Sequence, residues 1–189
     1  MRYRFILFIL VFLQIGGLGY SADLKDGFLG MNWKTHAADL SGFSKIREDG
    51  KVSYYIKPDQ VHVIQDFEVS QVVYGFYEHQ FFSVYVKIDR IDVFSEIKNY
   101  MTQKYGNPSV TLAVKSELKT YRWKYKKTKI KLKYYEKSGY MKLAFYYTPL
   151  SGKVNEENLE KLYDDTPRFF PIDKDRKPQS LPSIPLLQF

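Results

Sequence analysis

The three histidines, His36, His62 and His79, are the first residues to examine for chemistry, because the chain contains no cysteine. No two of them lie at the i, i+4 spacing of a helical zinc motif, and no thiolate is available as a ligand. The sequence also lacks a Gly-x-Ser-x-Gly elbow, a phosphate-binding glycine loop and a calcium loop. We therefore expect structural roles for the histidines, and we predict neither a metal site nor a cofactor.

Paired carboxylates are the other route to hydrolytic chemistry. Asp59, Asp66 and Glu68 are close in sequence, but carboxylates that act as acid and base are defined by their separation in space. The sequence therefore favours a protein that is not an enzyme, and it leaves open a hydrolase assembled from distant residues.

The strongest pattern lies between residues 121 and 146, where cations alternate with aromatic and aliphatic side chains. This period of two predicts β-strands with one cationic and one apolar face. A two-residue turn at Lys127-Thr128 places Lys124 opposite Lys131, and a second turn at Ser138-Gly139 keeps the same faces. The predicted ligand-binding face consists of Arg122, Lys124, Lys126, Lys129, Lys131, Lys133, Tyr135, Lys142 and Tyr146.

Two interpretations of this cationic face are open. Like charges directly opposite each other destabilise a sheet, so an anionic partner would compensate for them. Lysines are also ordinary occupants of a solvated strand face, where they hinder aggregation and salt screens their repulsion. A face that combines cations with tyrosines suits an anionic ligand. The ligand classes that we consider are an anionic glycan, a lipid head group and an acidic protein surface. Nucleic acid is a less favoured partner, because the chain is predicted to be exported.

Residues 1–22 are typical of a secretory signal peptide. Arg2 and Arg4 are followed by an unbroken apolar run at 5–13 and then by small residues that suit a signal peptidase. The run is shorter than the about 20 residues that span a bilayer; an uncleaved N-terminal anchor is the alternative. Loss of this segment lowers the net charge from +8 to +6. An exported chain without cysteine favours a bacterial periplasm or secretion from a bacterium.

The mature chain is predicted to be a single α+β domain over residues 23–165, followed by a proline-rich tail over 166–189. The tail holds five of the eight prolines, and it either docks along the domain or stays loose. The predicted architecture is an antiparallel sheet, or sheets, with two to three helices packed on one face.

Local signals place the first elements. Residues 28–33 predict an opening strand. Thr35 is predicted to cap a short helix that ends at Leu40, and Asp49-Gly50 predicts a hairpin turn. Strands over 69–77 and 81–88 are apolar on both faces, which predicts a hairpin in the centre of a sheet.

Two helices are predicted further along the chain. The first covers 92–105, with Asp92 as its N-cap and Gly106 as its end. The second, more polar helix covers about 154–163. We also predict that Trp33 and Trp123 anchor the core, since both fall on apolar positions of expected strands.

These motifs together resemble a set of small exported bacterial proteins. The resemblance rests on the Gly30-x-x-Trp33 start, on Tyr74-Gly75-Phe76 before a strand and on the Tyr105-Gly106-Asn107-Pro108 helix end, and it covers about residues 27–148. It implies export and a small α+β fold, and it implies no particular activity.

The function predicted from these observations is an exported, non-catalytic binding module of the bacterial envelope, with an anionic ligand on its cationic sheet face. The first alternative is a periplasmic protein–protein module, an inhibitor or an assembly accessory, that uses the hairpin at 72–85 or the apolar tail. The second alternative is a hydrolase whose catalytic residues are distant in sequence.

Overall fold

The structure is a computed structural model of the 189-residue chain, and it describes residues 23–64, 66–114, 117–154 and 183–187. The helices are a 3-10 helix (Ala37–Asp39), α1 (Ile91–Tyr105) and α2 (Thr148–Ser151). The strands are β1 (Gly27–Phe28), β2 (Met31–Asn32), β3 (Ser44–Asp49), β4 (Val52–Ile56), β5 (Val61–Ile64), β6 (Phe67–Val69), β7 (Val72–Tyr77), β8 (Gln80–Ile88), β9 (Ser109–Ala113), β10 (Leu118–Tyr125), β11 (Thr128–Tyr135), β12 (Tyr140–Tyr147) and β13 (Ser183–Pro185).

Eight strands form one antiparallel sheet in the order β3-β4-β7-β8-β12-β11-β10-β9, and two smaller sheets have the orders β1-β2 and β13-β5-β6. Mostly antiparallel strands with few helices confirm the predicted α+β class. The predicted aromatic hairpin is β7 and β8. It occupies two central positions of the large sheet, and every residue of β7 is buried. The side chains of this hairpin therefore build the core.

The apolar face of the large sheet carries the aromatic and aliphatic residues of β10, β11 and β12, and α1 packs on it. Phe94 of α1 has its ring centroid 6.1 Å from that of Tyr121 and 5.8 Å from that of Tyr134. The small sheet packs on the same face through His62 of β5, which contacts Tyr74 of β7. The strand register places Tyr74 on the side of Tyr121.

The segment that precedes β1 packs on the same apolar face and is hydrogen-bonded to it. The backbone carbonyl of Leu24 accepts hydrogen bonds from Trp33 Nε1 at 3.0 Å and from Thr128 Oγ1 at 2.7 Å. The Trp33 ring stacks on Phe81 of β8 and Tyr147 of β12, at centroid distances of 4.8 and 5.9 Å. Trp33 is therefore the core anchor that the sequence predicts.

The first turn of the cationic strands lies one residue earlier than the sequence predicts. Tyr125 pairs with Thr128, so the turn is Lys126-Lys127, and the predicted turn at Lys127-Thr128 is wrong. Thr128 is the first residue of β11, and its hydroxyl donates a hydrogen bond to the backbone carbonyl of Leu24. This contact is tertiary, and no local pattern indicates it.

The second turn also differs from the prediction. Tyr135 pairs with Tyr140, so a four-residue loop over 136–139 replaces the predicted two-residue turn at Ser138-Gly139. In both hairpins, the observed cross-strand partner of each residue lies two positions from the predicted partner. Because side chains alternate with a period of two, both corrections leave every side chain of these strands on its predicted face.

Two predictions near the N-terminus are wrong in detail. The expected strand 28–33 is the hairpin of β1 and β2, which turns at Leu29-Gly30, where φ is 48° and 78°. The expected helix after Thr35 is the 3-10 helix, and its cap is the next residue, His36. The Nδ1 atom of His36 accepts a hydrogen bond from the Ala38 N–H at 3.3 Å.

Helix α1 begins one residue earlier than predicted, and Asp92 is not its N-cap. The cap position is Arg90, without a side-chain cap, and the Asp92 carboxylate pairs with the Arg90 guanidinium. The helix ends at Gly106 as predicted, with φ at 82°. The Gly106 carbonyl accepts a hydrogen bond from Trp123 Nε1 at 2.9 Å, which places Trp123 in the core as expected.

Three predictions fall on residues that the structure does not describe. They concern the signal peptide at 1–22, most of the helix at 154–163, and the tail at 166–182. The end of the tail is described: β13 pairs in parallel with β5, and the Leu186 N–H donates a hydrogen bond to β5 at 2.8 Å. Residues 183–187 are therefore docked on the domain.

Gly75 of β7 marks a point where the sheet leaves no room for a side chain. A Cβ added there would lie 2.2 Å from the hydroxyl oxygen of Ser83 and 3.3 Å from the Phe82 ring. We expect Gly75→Ala to lower the free energy of unfolding by about 1–3 kcal/mol, the usual cost of overpacking. Urea denaturation measures this change.

The matched control is Ser83→Ala, which removes the obstructing oxygen. That oxygen is buried and has no hydrogen-bond partner among the described residues, so its removal alone should be nearly neutral. The double variant Gly75→Ala/Ser83→Ala should then regain most of the lost stability. A double variant as unstable as Gly75→Ala would show that another contact closes this position.

Candidate anion-binding face

The face of the large sheet opposite α1 carries directly opposed cations on neighbouring strands. We call it the cationic face. Its opposed pairs are Lys124–Lys129, Arg122–Lys131, Lys133–Lys142 and Lys142–Lys87. They extend over four adjacent strands, β10, β11, β12 and β8. Lys126 lies in the β10–β11 turn, with φ at 52°, and so at the end of this face.

Exposure to solvent divides the predicted cations into two groups. The outer part consists of Lys124 and Lys126, which are exposed, and of Arg122 and Lys129, which are half-buried. The inner part is buried and consists of Lys131, Lys133 and Lys142, which are 5%, 2% and 0% exposed. The outer part lies toward the β10–β11 turn, and the inner part lies farther from this turn on β11 and β12. Among the cations of this face, Lys124 and Lys126 are the ones exposed to a ligand from solution.

Tyrosine rings lie beside the buried ammonium groups. Lys131 Nζ is 5.3 Å from the centroid of the Tyr146 ring, and Lys142 Nζ is 6.0 Å from that of Tyr135. Such cation–π contacts stabilise a lysine that is removed from water. Tyr135 is half-buried and Tyr146 is buried, so both tyrosines of the predicted site act on the inner part.

Sequence reasoning missed several residues of this face. Lys87 of β8 opposes Lys142, and its Nζ lies 2.6 Å from Asp89 Oδ1. Tyr85 and Tyr54 continue the tyrosine layer, since the Tyr85 ring contacts both Tyr146 and Tyr54. The alternation of side chains along β8 indicates which face of that strand carries Lys87. Only the strand order β8-β12-β11 places Lys87 beside the other cations.

His62 is buried against Tyr74, with 3.2 Å between His62 Nε2 and Tyr74 Oη. Burial and, to a lesser extent, the charge of Lys57 together lower the pKa of His62 to about 4. Burial also raises the pKa of the Tyr74 hydroxyl. The imidazole is thus neutral at pH 7, and the contact ties the small sheet to the large one.

The remaining groups considered for chemistry are on the surface. His36 and His79 are exposed neighbours, with ring centroids 5.5 Å apart, and Asp59, Asp66 and Glu68 are exposed. Across the described ranges, no three His, Cys, Asp or Glu side chains come together in a group that would hold a metal ion.

The fold and this face define a small antiparallel α+β protein with a partly buried cationic sheet face. Comparisons with protein-family models, curated proteins and solved structures found no match for the chain. The resemblance to small exported bacterial proteins stays a prediction. Among the described helices, none is both long enough and apolar enough to cross a bilayer.

Proposed function

We propose that the protein is an exported, non-catalytic binding module of the bacterial envelope, with its anionic ligand on the outer part of the cationic face. The supporting observation is the grouping of the exposed Lys124 and Lys126 with Arg122 and Lys129 at the turn end of the β10–β11 hairpin. The turn adds Lys126 and Lys127, which are both exposed.

Electrostatics explain why this end of the hairpin suits an anion. Like charges opposed on a sheet repel each other, and a bound anion converts this repulsion into attraction. Clustered cations also raise the local concentration of an anionic partner and speed its arrival. Both effects weaken as salt screens them. Binding by this surface must therefore depend strongly on salt.

The kind of cation indicates the kind of ligand. Lysine ammonium groups are mobile point charges, whereas arginine has a planar fork that grips one carboxylate or phosphate. The outer part has three lysines and one arginine, and the Arg122 guanidinium is 2.5 Å from Thr111 Oγ1. This composition suits a polyanion with repeated charges. In the envelope, that chemistry belongs to an anionic glycan, a layer of lipid head groups or an acidic protein surface.

The test compares two variants of equal net charge. Lys124→Glu/Lys126→Glu alters the outer part, and Lys45→Glu/Lys137→Glu alters exposed lysines on β3 and in the β11–β12 loop. The probes are heparin, for a glycan, and vesicles that contain phosphatidylglycerol, for lipid head groups. Each lysine that contacts a polyanion adds about one to the slope of log affinity against log salt. We therefore expect the first variant to lose about two from this slope.

The control variant should bind like the wild type, because it leaves the hairpin end unchanged. Equal losses in both variants would show an effect of net charge alone and would overturn the proposal. Unchanged binding in both would also overturn it. A protein–protein module would then be favoured, because the edge strand β9 exposes Val110 and Leu112 on a strand without charged residues.

A further inference from the structure

The two edges of the large sheet, β3 and β9, differ in how they are protected. Strand β3 has four charged residues among its six, and a bulge lies between Lys45 and Arg47. Charged side chains and bulges are the usual features that prevent an edge strand from pairing with another chain. Strand β9 has neither, because its five residues are uncharged and its register with β10 is unbroken. The edge at β9 is therefore suited to pairing, whereas the edge at β3 is not.

Exposed apolar side chains are concentrated at the β9 edge. The large hydrophobic residues that are exposed within the described part of the chain are Ile91, Val110, Leu112 and Val114, and the last three lie on β9 or directly after it. Single exposed apolar residues are ordinary on a protein surface, whereas a contiguous group marks an interaction site. Val110 and Leu112 lie on the same face of the sheet as Tyr121, because Val110 pairs with Tyr121 and side chains alternate along a strand.

The opposite face of this edge carries positive charge. Thr111 of β9 lies on that face, and its Oγ1 accepts a hydrogen bond from Arg122 Nη1 at 2.5 Å. This bond holds the guanidinium of Arg122, a residue of β10, against β9. Strands β9 and β10 together contain the cations Lys119, Arg122 and Lys124 and no carboxylate. A strand added beside β9 would therefore meet apolar side chains on one face and a guanidinium on the other.

Charge indicates which class of strand fits this edge. A second copy of this chain, paired antiparallel through β9, would bring two Arg122 guanidiniums to the same face of the shared edge. Like charges on neighbouring strands destabilise their pairing, whereas opposite charges stabilise it. A carboxylate beside Thr111 would form a charge-assisted hydrogen bond with Arg122. The strand that fits best therefore has apolar side chains on one face and acidic side chains on the other.

We propose that β9 is a docking edge for an extended segment of a partner protein in which apolar and acidic residues alternate. The segment adds a strand to the large sheet, and its backbone hydrogen bonds to β9 supply affinity. Its apolar side chains pack beside Val110 and Leu112, and an acidic side chain pairs with Arg122. This surface lies at the edge of the sheet, and it does not depend on the ligand proposed for Lys124 and Lys126.

The test uses three short synthetic peptides with blocked ends. Valine alternates with glutamate in the first peptide, and lysine replaces every glutamate in the second. The third peptide has proline in place of a central valine of the first, so it keeps the charge but cannot complete a ladder of backbone hydrogen bonds. Fluorescence anisotropy of the labelled peptides measures their binding to the full chain. We expect the first peptide to bind about tenfold more tightly than either of the others, and to be the one that protects residues 109–113 from hydrogen exchange.

Two double variants of equal net charge locate the binding. Val110→Glu/Leu112→Glu removes the apolar contacts and repels the glutamate peptide, so we expect it to bind that peptide about tenfold more weakly than the wild type. Both side chains are exposed, so this variant should fold. The matched control is Ser41→Glu/Ser44→Glu, which adds the same charge at exposed positions on and beside β3. This control should bind the glutamate peptide like the wild type.

The Lys124→Glu/Lys126→Glu variant separates this inference from the proposed function. It should lose the salt-dependent binding of heparin or vesicles if the proposed function holds. Protection of residues 109–113 by the glutamate peptide should persist in it, because β9 and Arg122 are unchanged. Either test can therefore fail while the other succeeds.

Four results would overturn this inference. The first is a glutamate peptide that does not bind the wild type. The second is equal binding of the glutamate peptide and its proline form, which would show attraction of charge without strand addition. The third is equal weakening in both double variants. The fourth is a wild-type dimer in sedimentation equilibrium that Val110→Glu/Leu112→Glu does not form, which would show that a second copy of the chain occupies β9.

Discussion

Replacement of Trp33 by alanine is expected to lower the free energy of unfolding by about 3–5 kcal/mol, the range for a buried aromatic residue. The indole stacks on Phe81 and Tyr147, and its N–H donates to the carbonyl of Leu24. The substitution therefore leaves a cavity at the junction of the N-terminal segment with β8 and β12. Urea denaturation followed by the fluorescence of Trp123 measures the loss.

Trp33→Phe is the matched control, because it keeps a stacked ring and removes only the N–H donor and part of the volume. The Leu24 carbonyl retains its bond from Thr128, so this variant should be affected less than Trp33→Ala. If Trp33→Ala cost less than about 1 kcal/mol, the N-terminal segment would not be an integral part of the core.

The second large effect expected is an acid-dependent loss of stability caused by His62. Its pKa is lowered to about 4 in the folded state, mainly by burial, whereas an unfolded histidine titrates near 6.5. Above pH 6.5 the imidazole is neutral in both states. Between pH 6.5 and 4 only the unfolded chain binds the proton. The free energy of unfolding therefore decreases as the pH is lowered through this range, by up to about 3 kcal/mol. Below pH 4 this contribution stops changing.

The control separates His62 from the other groups that titrate in acid. Among these groups, the carboxylate of Asp92 has its pKa lowered by the neighbouring Arg90 guanidinium. Unfolding free energies of the wild type and His62→Gln are compared from pH 4 to 7. The wild type should show a steeper decline. Parallel curves would mean that His62 takes up its proton in the folded state without cost.

The histidines show how far local pattern leads. A structural role for His62 follows from its apolar, strand-like neighbours, whereas its partner Tyr74 lies on another strand of another sheet. The lowered pKa of His62 depends on that packing. Its titration could therefore not be predicted from the residues around it in sequence.

The cationic strands show the same limit. The faces of these strands were predictable because side chains alternate with a period of two. A cross-strand partner that is wrong by two positions still places every side chain on the correct face. The exact turn was not predictable, because the predicted and observed registers keep the same faces and the contact of Thr128 with Leu24 is tertiary. Neither was the burial of Lys142, since adjacent residues in sequence do not report what packs against a sheet.

The sequence by itself determined the α+β class, the central aromatic hairpin, the end of α1 and the separation of cations from apolar residues on the late strands. These follow from local rules of alternation, capping and turn formation. Tertiary structure alone decided the strand order, the place of Lys87 beside Lys142, and the division of the cationic face into open and buried parts. Strand order and burial depend on contacts between residues distant in sequence, which local patterns do not encode.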